Sequence, residues 1–384
     1  MPSLQQRYFP WIEPLRALAA LAVLLVHVIY GARWIEFPNT GLLSVFRYGA
    51  VGVDLFLVIS GFVVTLLVSN LRQRAHNGDG RNDGKSVFRT FMIGRVARIA
   101  PLYWLTGIVF LVVIDHGMLM HGTGSAIAQL VSHAFFLQNL HPEFAARILG
   151  VNVTVALEMQ FYLVLLPMLM ILTKSRLLFV VVFLVASIAC RYFLWTTLPD
   201  AAARADGFVF FGNTLPFAFG HFAIGMLAAD AVLRRAVFAR PASAICMCWL
   251  LVSIGSLALL MFVFMTTPDV WANFFFAVVW RTLLAASFGC IVMAAATCPM
   301  SIAVVRPLAY LGEISYGLYL WHVIVIELLL RYTSLRGGAF FIAVVVTTVA
   351  LSALSFRYME QPITQWVKRR SRDTIPSTAR PLSP

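Results

Sequence analysis

The sequence predicts an all-α, polytopic bundle of about ten membrane-spanning helices. Hydrophobic residues make up 61% of the 384-residue chain and charged residues only 12%, whereas a soluble domain carries about 25% charge. The apolar runs recur along the whole chain and are roughly 18 to 24 residues long, which suits membrane-crossing helices rather than the shorter strands of a barrel.

We predict the spans from the positions of these runs. They fall at about 15–32, 50–70, 93–115, 153–173, 176–196, 209–230, 242–266, 274–297, 308–330 and 338–357. The apolar stretch 125–140 is too short to cross and predicts a surface or re-entrant helix. The first run keeps an arginine at its start and lacks a small-residue cleavage site, so we expect this helix to be retained.

Basic residues predict the orientation of the bundle. An even number of spans places both termini on one side, and most of the 29 Lys and Arg residues fall in the loops and tails of that side. The opposite loops contain Arg33, Arg47, Arg147, Arg204, Arg331 and Arg336. We therefore expect cytoplasmic termini. Basic cytoplasmic loops also explain the net charge of +13 without a nucleic-acid partner.

The chain reads as one membrane domain, residues 1–368, followed by a tail at 369–384 that is rich in Ser, Pro and Arg and predicts a disordered cytoplasmic segment. The other hydrophilic segment is the loop Arg72–Lys85. The five cysteines fall in or beside spans without a zinc spacing, so we interpret them as small buried hydrophobic residues.

The first predicted span contains two ionisable residues, Arg16 and His27. They are separated by about three helical turns and therefore share one helix face, with His27 roughly 16 Å further along the axis. An ionisable group within a membrane is costly and is rarely kept without a partner or a function. Since histidine moves protons near neutral pH, we expect chemistry on this face.

Asp54 and Glu158 are the candidate carboxylates. Each lies a few residues inside the outer end of a predicted span, the second and the fourth. Both are therefore expected near the depth of His27, where a carboxylate would fix the tautomer of the imidazole and raise its basicity. The alternative is a structural ion pair with Arg191 or Arg281.

Arg95 and Arg98 are spaced so that they share a face at the cytoplasmic end of the third predicted span. Two guanidinium groups in this position can bind phosphates in a bidentate manner. The alternative is that they anchor the helix among lipid headgroups.

A later span places Ser315, Tyr319 and His322 on one face. About 10 Å along the axis separates Ser315 from His322, which excludes a direct hydrogen bond, so we favour packing and hydrogen bonds inside the bundle. One predicted external loop contains four histidines whose spacing matches no metal-ligand pattern, and we expect no metal. These are His116, His121, His133 and His141.

Six segments, taken in order over about residues 8–365, resemble the acyltransferase 3 family of bacterial membrane O-acyltransferases. They are Arg16 to His27 (R-x10-H), Gly-Val-Asp-Leu-Phe-Leu-Val-Ile-Ser-Gly-Phe at 52–62, Arg95 to Tyr103, Glu-Met-Gln-Phe-Tyr at 158–162, Ile-Ser-Tyr-Gly-Leu-Tyr-Leu-Trp-His at 314–322, and Tyr358 to Pro362. Any one of these segments is a weak signal, but six in order are a strong one.

The resemblance implies that the chain moves an acyl group, usually acetyl, from cytoplasmic acyl-CoA to a sugar hydroxyl. The acceptor would be a cell-surface or exported glycan, such as a lipopolysaccharide O-antigen or an exopolysaccharide, or a lipid-linked oligosaccharide. The expected location is the bacterial inner membrane, where membrane lipids are the remaining partners.

The resemblance also assigns roles to the candidate residues. Arg16, Arg95 and Arg98 would bind acyl-CoA, and His27 would be the general base on the acceptor hydroxyl, supported by Glu158 or Asp54. The main alternative is a secondary transporter, which would also use buried Arg, His and Glu. Transporters favour repeated halves with broken helices, and the sequence shows no such repeat.

Overall fold

The structure is a computed structural model that describes residues 9–32, 34, 36–77, 84–117, 124–145, 147–171, 176–234, 242–299 and 301–373. Its α-helices of eight or more residues are α1 Ile12–Gly31, α2 Gly52–Asn77, α3 Gly84–Val109, α4 Gly124–Ala134, α5 Asn152–Ile171, α6 Arg176–Thr197, α7 Ala201–Phe211, α8 Leu215–Leu233, α9 Ala242–Thr266, α10 Arg281–Thr297, α11 Arg306–Glu313, α12 Ser315–Tyr332, α13 Gly337–Ser355 and α14 Gln361–Asp373.

The predicted all-α membrane fold is confirmed. Within the described ranges there is no strand, and eight helices are long and apolar enough to cross a membrane, or nine if the bent pair α11 and α12 forms one span. The predicted span 153–173 coincides with α5, which is not among these helices, and its last two residues lie outside the described residues.

Two predicted spans are interrupted. The expected span 209–230 begins in α7, and a turn at 212–214 separates α7 from α8, where Pro216 occupies the first helical turn. Proline favours that position because its missing N–H needs no partner there. The expected span 308–330 bends by 72° between α11 and α12.

Close backbone contacts at glycines pack the centre of the bundle. Gly225 of α8 lies against the backbone of Val58, and Gly61 of α2 lies against the backbone of Phe222. A side chain at either glycine would push these helices apart, which is why small residues are favoured at such crossings. Helix α1 packs on α2, α11 and α12, so it lies at the centre of the fold.

Three segments outside the spans have defined structure. The stretch expected to form a surface or re-entrant helix contains α4 and a 3-10 turn, Gln138–Leu140. Helix α14 continues to Asp373, so the first residues of the expected tail are helical; the rest of the tail lies outside the described residues. In the hydrophilic loop, α2 extends to Asn77 and α3 begins at Gly84.

Candidate functional site

Two cavities lie along α1. The first, here called the arginine cavity, has a volume of about 140 Å³ and is lined by charged and hydroxyl side chains that include Glu13, Arg16, Ser60, Arg95, Arg98, Glu158, Ser315 and Tyr319. The second, here called the aromatic cavity, has a volume of about 480 Å³ and is lined by His27, Asp54, Arg191 and Arg281 together with aromatic rings. Arg16 and His27 therefore serve different cavities.

The arginine cavity gathers the three predicted donor-binding residues. Arg16 comes from α1, and Arg95 and Arg98 come from one face of α3. A Glu13 carboxylate oxygen lies 3.4 Å from a guanidinium nitrogen of Arg16. The guanidinium of Arg95 lies 5.4 Å from the ring centre of Tyr162, a cation–π contact that holds it in place.

The sequence predicted that Glu158 lies beside His27, but the two residues line different cavities. Glu158 lines the arginine cavity, where one of its carboxylate oxygens accepts hydrogen bonds from the Ser60 and Tyr162 hydroxyls. The prediction rested on the position of Glu158 along α5 alone. That position does not say which neighbouring helices the side chain faces, and Glu158 faces Ser60 of α2 and the arginines of α1 and α3.

Asp54 does share a cavity with His27, but its closest partners are other side chains. One of its carboxylate oxygens lies 2.8 Å from His221 Nε2 and 3.9 Å from Arg281 Nε. For Asp54, the alternative stated above, an ion pair with Arg281 rather than a contact with His27, is the arrangement that the structure shows. Sequence reasoning missed His221, although a histidine inside an apolar span is itself a signal.

The described ion pairs of Arg191 and Arg281 do not include Glu158. Arg191 is almost fully buried and donates hydrogen bonds to the Phe217 carbonyl at 2.8 Å and to the Thr282 hydroxyl at 3.2 Å. Its guanidinium is therefore satisfied largely by neighbouring helices.

His27 lies against a second histidine, His322. The ring centres are 4.9 Å apart and the ring planes are inclined by 67°. In each ring, Nδ1 faces the carbonyl oxygen four residues earlier on its own helix, Val23 at 2.8 Å and Leu318 at 3.2 Å. A carbonyl only accepts, so Nδ1 carries the proton and Nε2 of the neutral ring is left as a base.

Tyr319 and the two histidines connect the cavities. The Tyr319 ring lines the arginine cavity and lies 5.9 Å from the His322 ring, and His322 contacts His27, which lines the aromatic cavity. The Tyr319 hydroxyl donates to the Val151 carbonyl at 3.1 Å and can accept from the Thr154 hydroxyl at 2.9 Å. The expected bundle-interior hydrogen bonds are therefore present for Tyr319, while His322 also contacts a predicted catalytic residue.

Two further buried polar groups lie near the arginine cavity. The Ser315 hydroxyl lines it, and the Glu360 carboxylate lies within the electrostatic reach of Arg98 and Arg16. Neither Ser315 Oγ nor Glu360 Oε1 has a hydrogen-bond partner among the described residues. Glu360 falls in the closing Tyr-x-Glu-x-Pro segment, but its distance in sequence from the other site residues hid its position.

The described histidines of the predicted external loop, His116, His133 and His141, do not form a cluster. His133 packs against the Tyr103 ring at 4.5 Å, His141 lies against Phe144, and His121 lies outside the described residues. Among the described residues, no three His, Cys, Asp or Glu side chains are grouped so that they could hold a metal ion.

An all-helical membrane bundle with a cation-lined cavity and a separate histidine-lined cavity is an architecture suited to transferring a group between two substrates. The chain belongs to the acyltransferase 3 family, since the family profile, described as an acyltransferase domain, matches residues 9–357. This assignment confirms the resemblance drawn from the six segments.

Curated relatives align over most of this chain. It is similar to the putative peptidoglycan O-acetyltransferase YrhL of Bacillus subtilis (26% identity; 93% of this chain, 55% of the relative). It is also similar to the peptidoglycan O-acetyltransferase OatA of Listeria monocytogenes (26%; 93% and 56%) and to the O-acetyltransferase OatA of Staphylococcus aureus (24%; 93% and 57%). The chain thus spans a little over half the length of these relatives. No solved structure gives a significant match.

Proposed function

We propose that this chain is a membrane O-acyltransferase that moves an acyl group, most simply acetyl, from acyl-CoA to a sugar hydroxyl of a cell-surface glycan. The observation that carries the proposal is the pair of cavities joined through Tyr319, His322 and His27. Peptidoglycan, which two relatives name, shares its hydroxyl chemistry with the lipopolysaccharide O-antigen and with exopolysaccharides. The expected setting is the bacterial inner membrane.

The arginine cavity fits the donor. Three guanidinium groups match the phosphates of acyl-CoA, since arginine binds phosphate through paired, charge-assisted hydrogen bonds. At about 140 Å³ the cavity is smaller than the roughly 300–1,000 Å³ of a site that encloses a drug-sized ligand. The phosphates therefore bind the arginines at the mouth, the pantetheine arm fills the cavity, and the thioester extends past Tyr319 toward His27.

His27 has the tautomer that the reaction needs. Nε2 accepts the proton of the acceptor hydroxyl while the hydroxyl oxygen forms a bond with the thioester carbonyl carbon. The carbon–sulfur bond then breaks, and the departing CoA thiolate takes up a proton. The products are the O-acyl ester and free CoA thiol. His322 is placed to steady the His27 ring from its edge.

The role of Glu158 changes with its position. Its carboxylate lies among guanidinium groups and orients the Ser60 and Tyr162 hydroxyls. We infer that it balances charge in the donor cavity. Asp54 lies in the cavity of His27 and holds His221 and Arg281 in place there.

The test uses purified full-length protein in liposomes with radiolabelled acetyl-CoA and a glycan. The proposal expects labelled glycan and stoichiometric CoA thiol when both substrates are present. Uptake of an unmodified solute without thiol release would instead favour a transporter. Absence of label on every glycan, with folded protein that binds acetyl-CoA, would overturn the acceptor class.

A further inference from the structure

The aromatic cavity has the size and lining of a carbohydrate site. Its volume of about 480 Å³ lies within the range for small-molecule pockets, which are lined mainly by aromatic and apolar groups with a few polar ones. Trp271 lines the cavity and stacks on the Phe208 ring at 5.7 Å, with ring planes 20° apart. This contact fixes the indole while leaving it half-buried, so a sugar ring can pack against it.

The same cavity carries an excess of positive charge. Three arginines line it, Arg47, Arg191 and Arg281, against one carboxylate, Asp54. A cavity of one dominant sign concentrates ligands of the opposite sign. The ligand that complements this lining is therefore an anion.

Two of the three arginines are already engaged. Arg47 donates to the carbonyls of Pro38 at 2.9 Å and Phe37 at 2.5 Å, and Arg191 donates to the carbonyl of Phe217 and to Thr282. Both hold the walls of the cavity together, so neither has its guanidinium fully available.

Arg281 is different. Its side chain is 45% exposed, and its Nε lies 3.9 Å from Asp54, beyond hydrogen-bond distance. No hydrogen bond of its guanidinium is present among the described residues. Asp54 itself lies closer to His221, at 2.8 Å. The guanidinium of Arg281 therefore presents N–H donors to the cavity, and Asp54 does not occupy them.

Resting on the proposed function, we propose that the aromatic cavity is the acceptor site and that it selects a sugar residue bearing a carboxylate or a phosphate. Trp271 packs against the sugar ring, Arg281 binds the anionic group, and a hydroxyl of the same residue faces His27, which lines the same cavity. The competing explanation is that Arg281 serves only to balance the charge of Asp54.

Binding of four probes to the full-length protein in detergent tests the proposal. The probes are methyl glucuronide, glucose 1-phosphate, methyl glucoside and inorganic phosphate, titrated by calorimetry. We expect the two acidic sugars to bind about tenfold more tightly than methyl glucoside, as one charge-assisted contact contributes. Phosphate alone should bind more weakly than either acidic sugar because it lacks the ring. A difference between glucuronide and glucose 1-phosphate identifies the preferred anion.

Variants separate the two explanations. Arg281→Gln should remove the acidic preference, and Trp271→Ala should weaken all three sugars, while the exposed Arg336→Gln serves as the charge control. If Arg281 only balanced Asp54, wild-type protein would bind neutral and acidic sugars equally, which would overturn the proposal. Acetyl-CoA binding is measured on each preparation. Retained donor binding with no acidic preference refutes this inference alone, whereas lost donor binding in wild-type protein refutes the proposed function.

Discussion

The imidazole of His322 lies edge-on to that of His27, with ring centres 4.9 Å apart. The two rings come from α12 and α1, which pack directly on each other. Each ring is oriented by a hydrogen bond to its own helix. The pair therefore places two Nε2 atoms, each free of a proton in the neutral ring, between the two cavities.

His27→Gln should abolish acyl transfer without unfolding the protein. The amide keeps a polar side chain of similar reach but cannot serve as a base, and loss of a general base costs about 10²- to 10⁴-fold in rate. Transfer of label from acetyl-CoA is measured with equal amounts of monodisperse protein. His141→Gln, on an exposed ring, is the matched control. Near-normal turnover in His27→Gln would remove His27 from the reaction.

His322→Phe should lower kcat and leave the KM for acetyl-CoA unchanged. The phenyl ring keeps the edge-on packing but has no lone pair with which to stabilise the imidazolium that forms on His27. Loss of one charge-assisted polar interaction costs about 10- to 100-fold. A purely structural role would instead lower thermal stability and change both constants together. His116→Phe, at an exposed position, is the control.

Arg98→Gln and Arg95→Gln should each raise the KM for acetyl-CoA by about tenfold, because each removes a charge-assisted contact with phosphate. Arg98→Lys should recover only part of the affinity, since lysine keeps the charge but loses the planar fork. Arg89→Gln lies on the same helix with an exposed side chain outside the cavity and should have no effect. If acetyl-CoA affinity were equal in all variants, Arg95 and Arg98 would not bind the donor, and the alternative that they anchor the helix among lipid headgroups would be favoured.

Glu158→Gln should tighten acetyl-CoA binding. The substitution keeps an oxygen that can accept from Ser60 and Tyr162 but removes a negative charge beside the guanidinium groups. An anionic donor is then repelled less, and about a threefold gain in affinity is expected at low ionic strength. Equilibrium binding at two salt concentrations measures it, with the exposed Glu143→Gln as control. Weaker binding would instead assign Glu158 a direct contact with the donor.

His133 should make the protein acid-sensitive. Burial lowers the pKa of His133 to about 4, whereas an unfolded histidine titrates near 6.5. Below about pH 6.5 the unfolded chain takes up a proton that the native state excludes until about pH 4, so stability is full above that range and falls as pH decreases. The loss is about 2 kcal/mol between pH 7.5 and 5.

Thermal unfolding in detergent at the two pH values measures this effect. His133→Gln should flatten the dependence, because the amide does not titrate. His141→Gln, whose ring is exposed, should retain it. An unchanged slope in His133→Gln would show that other groups cause the acid sensitivity.

The helices could be predicted because each apolar run alone is long enough to cross a bilayer. The break at 212–214 is marked locally by Gly212 and Pro216 but lies in an apolar run long enough to be taken as one span. The 72° bend at Ile314 was not predicted. In the site, the shared cavity of Arg95 and Arg98 followed from their helical spacing. The placement of Glu158 in the same cavity did not, because sequence gives a position along α5 but not the neighbouring helices that its side chain faces.

His221 and His322 show the same limit. Each is visible in the sequence as an ionisable residue in an apolar run, which is a signal of function. Their partners, Asp54 and His27, belong to helices far away in the chain. Spacing along one helix carries no information about such neighbours, so only the three-dimensional packing reveals them.

The bend between α11 and α12 makes a distant glycine relevant to the histidine pair. Gly312 lies directly against the backbone of Glu13, at the start of α1, so α11 rests on α1 without an intervening side chain. His322 follows Gly312 by ten residues, which corresponds to about 10 to 15 Å along the helices. A methyl group at position 312 would collide with the backbone of Glu13. The collision would displace α12 relative to α1 and so shift His322 relative to His27. The alignment of the two imidazoles is thus set at the opposite end of α1.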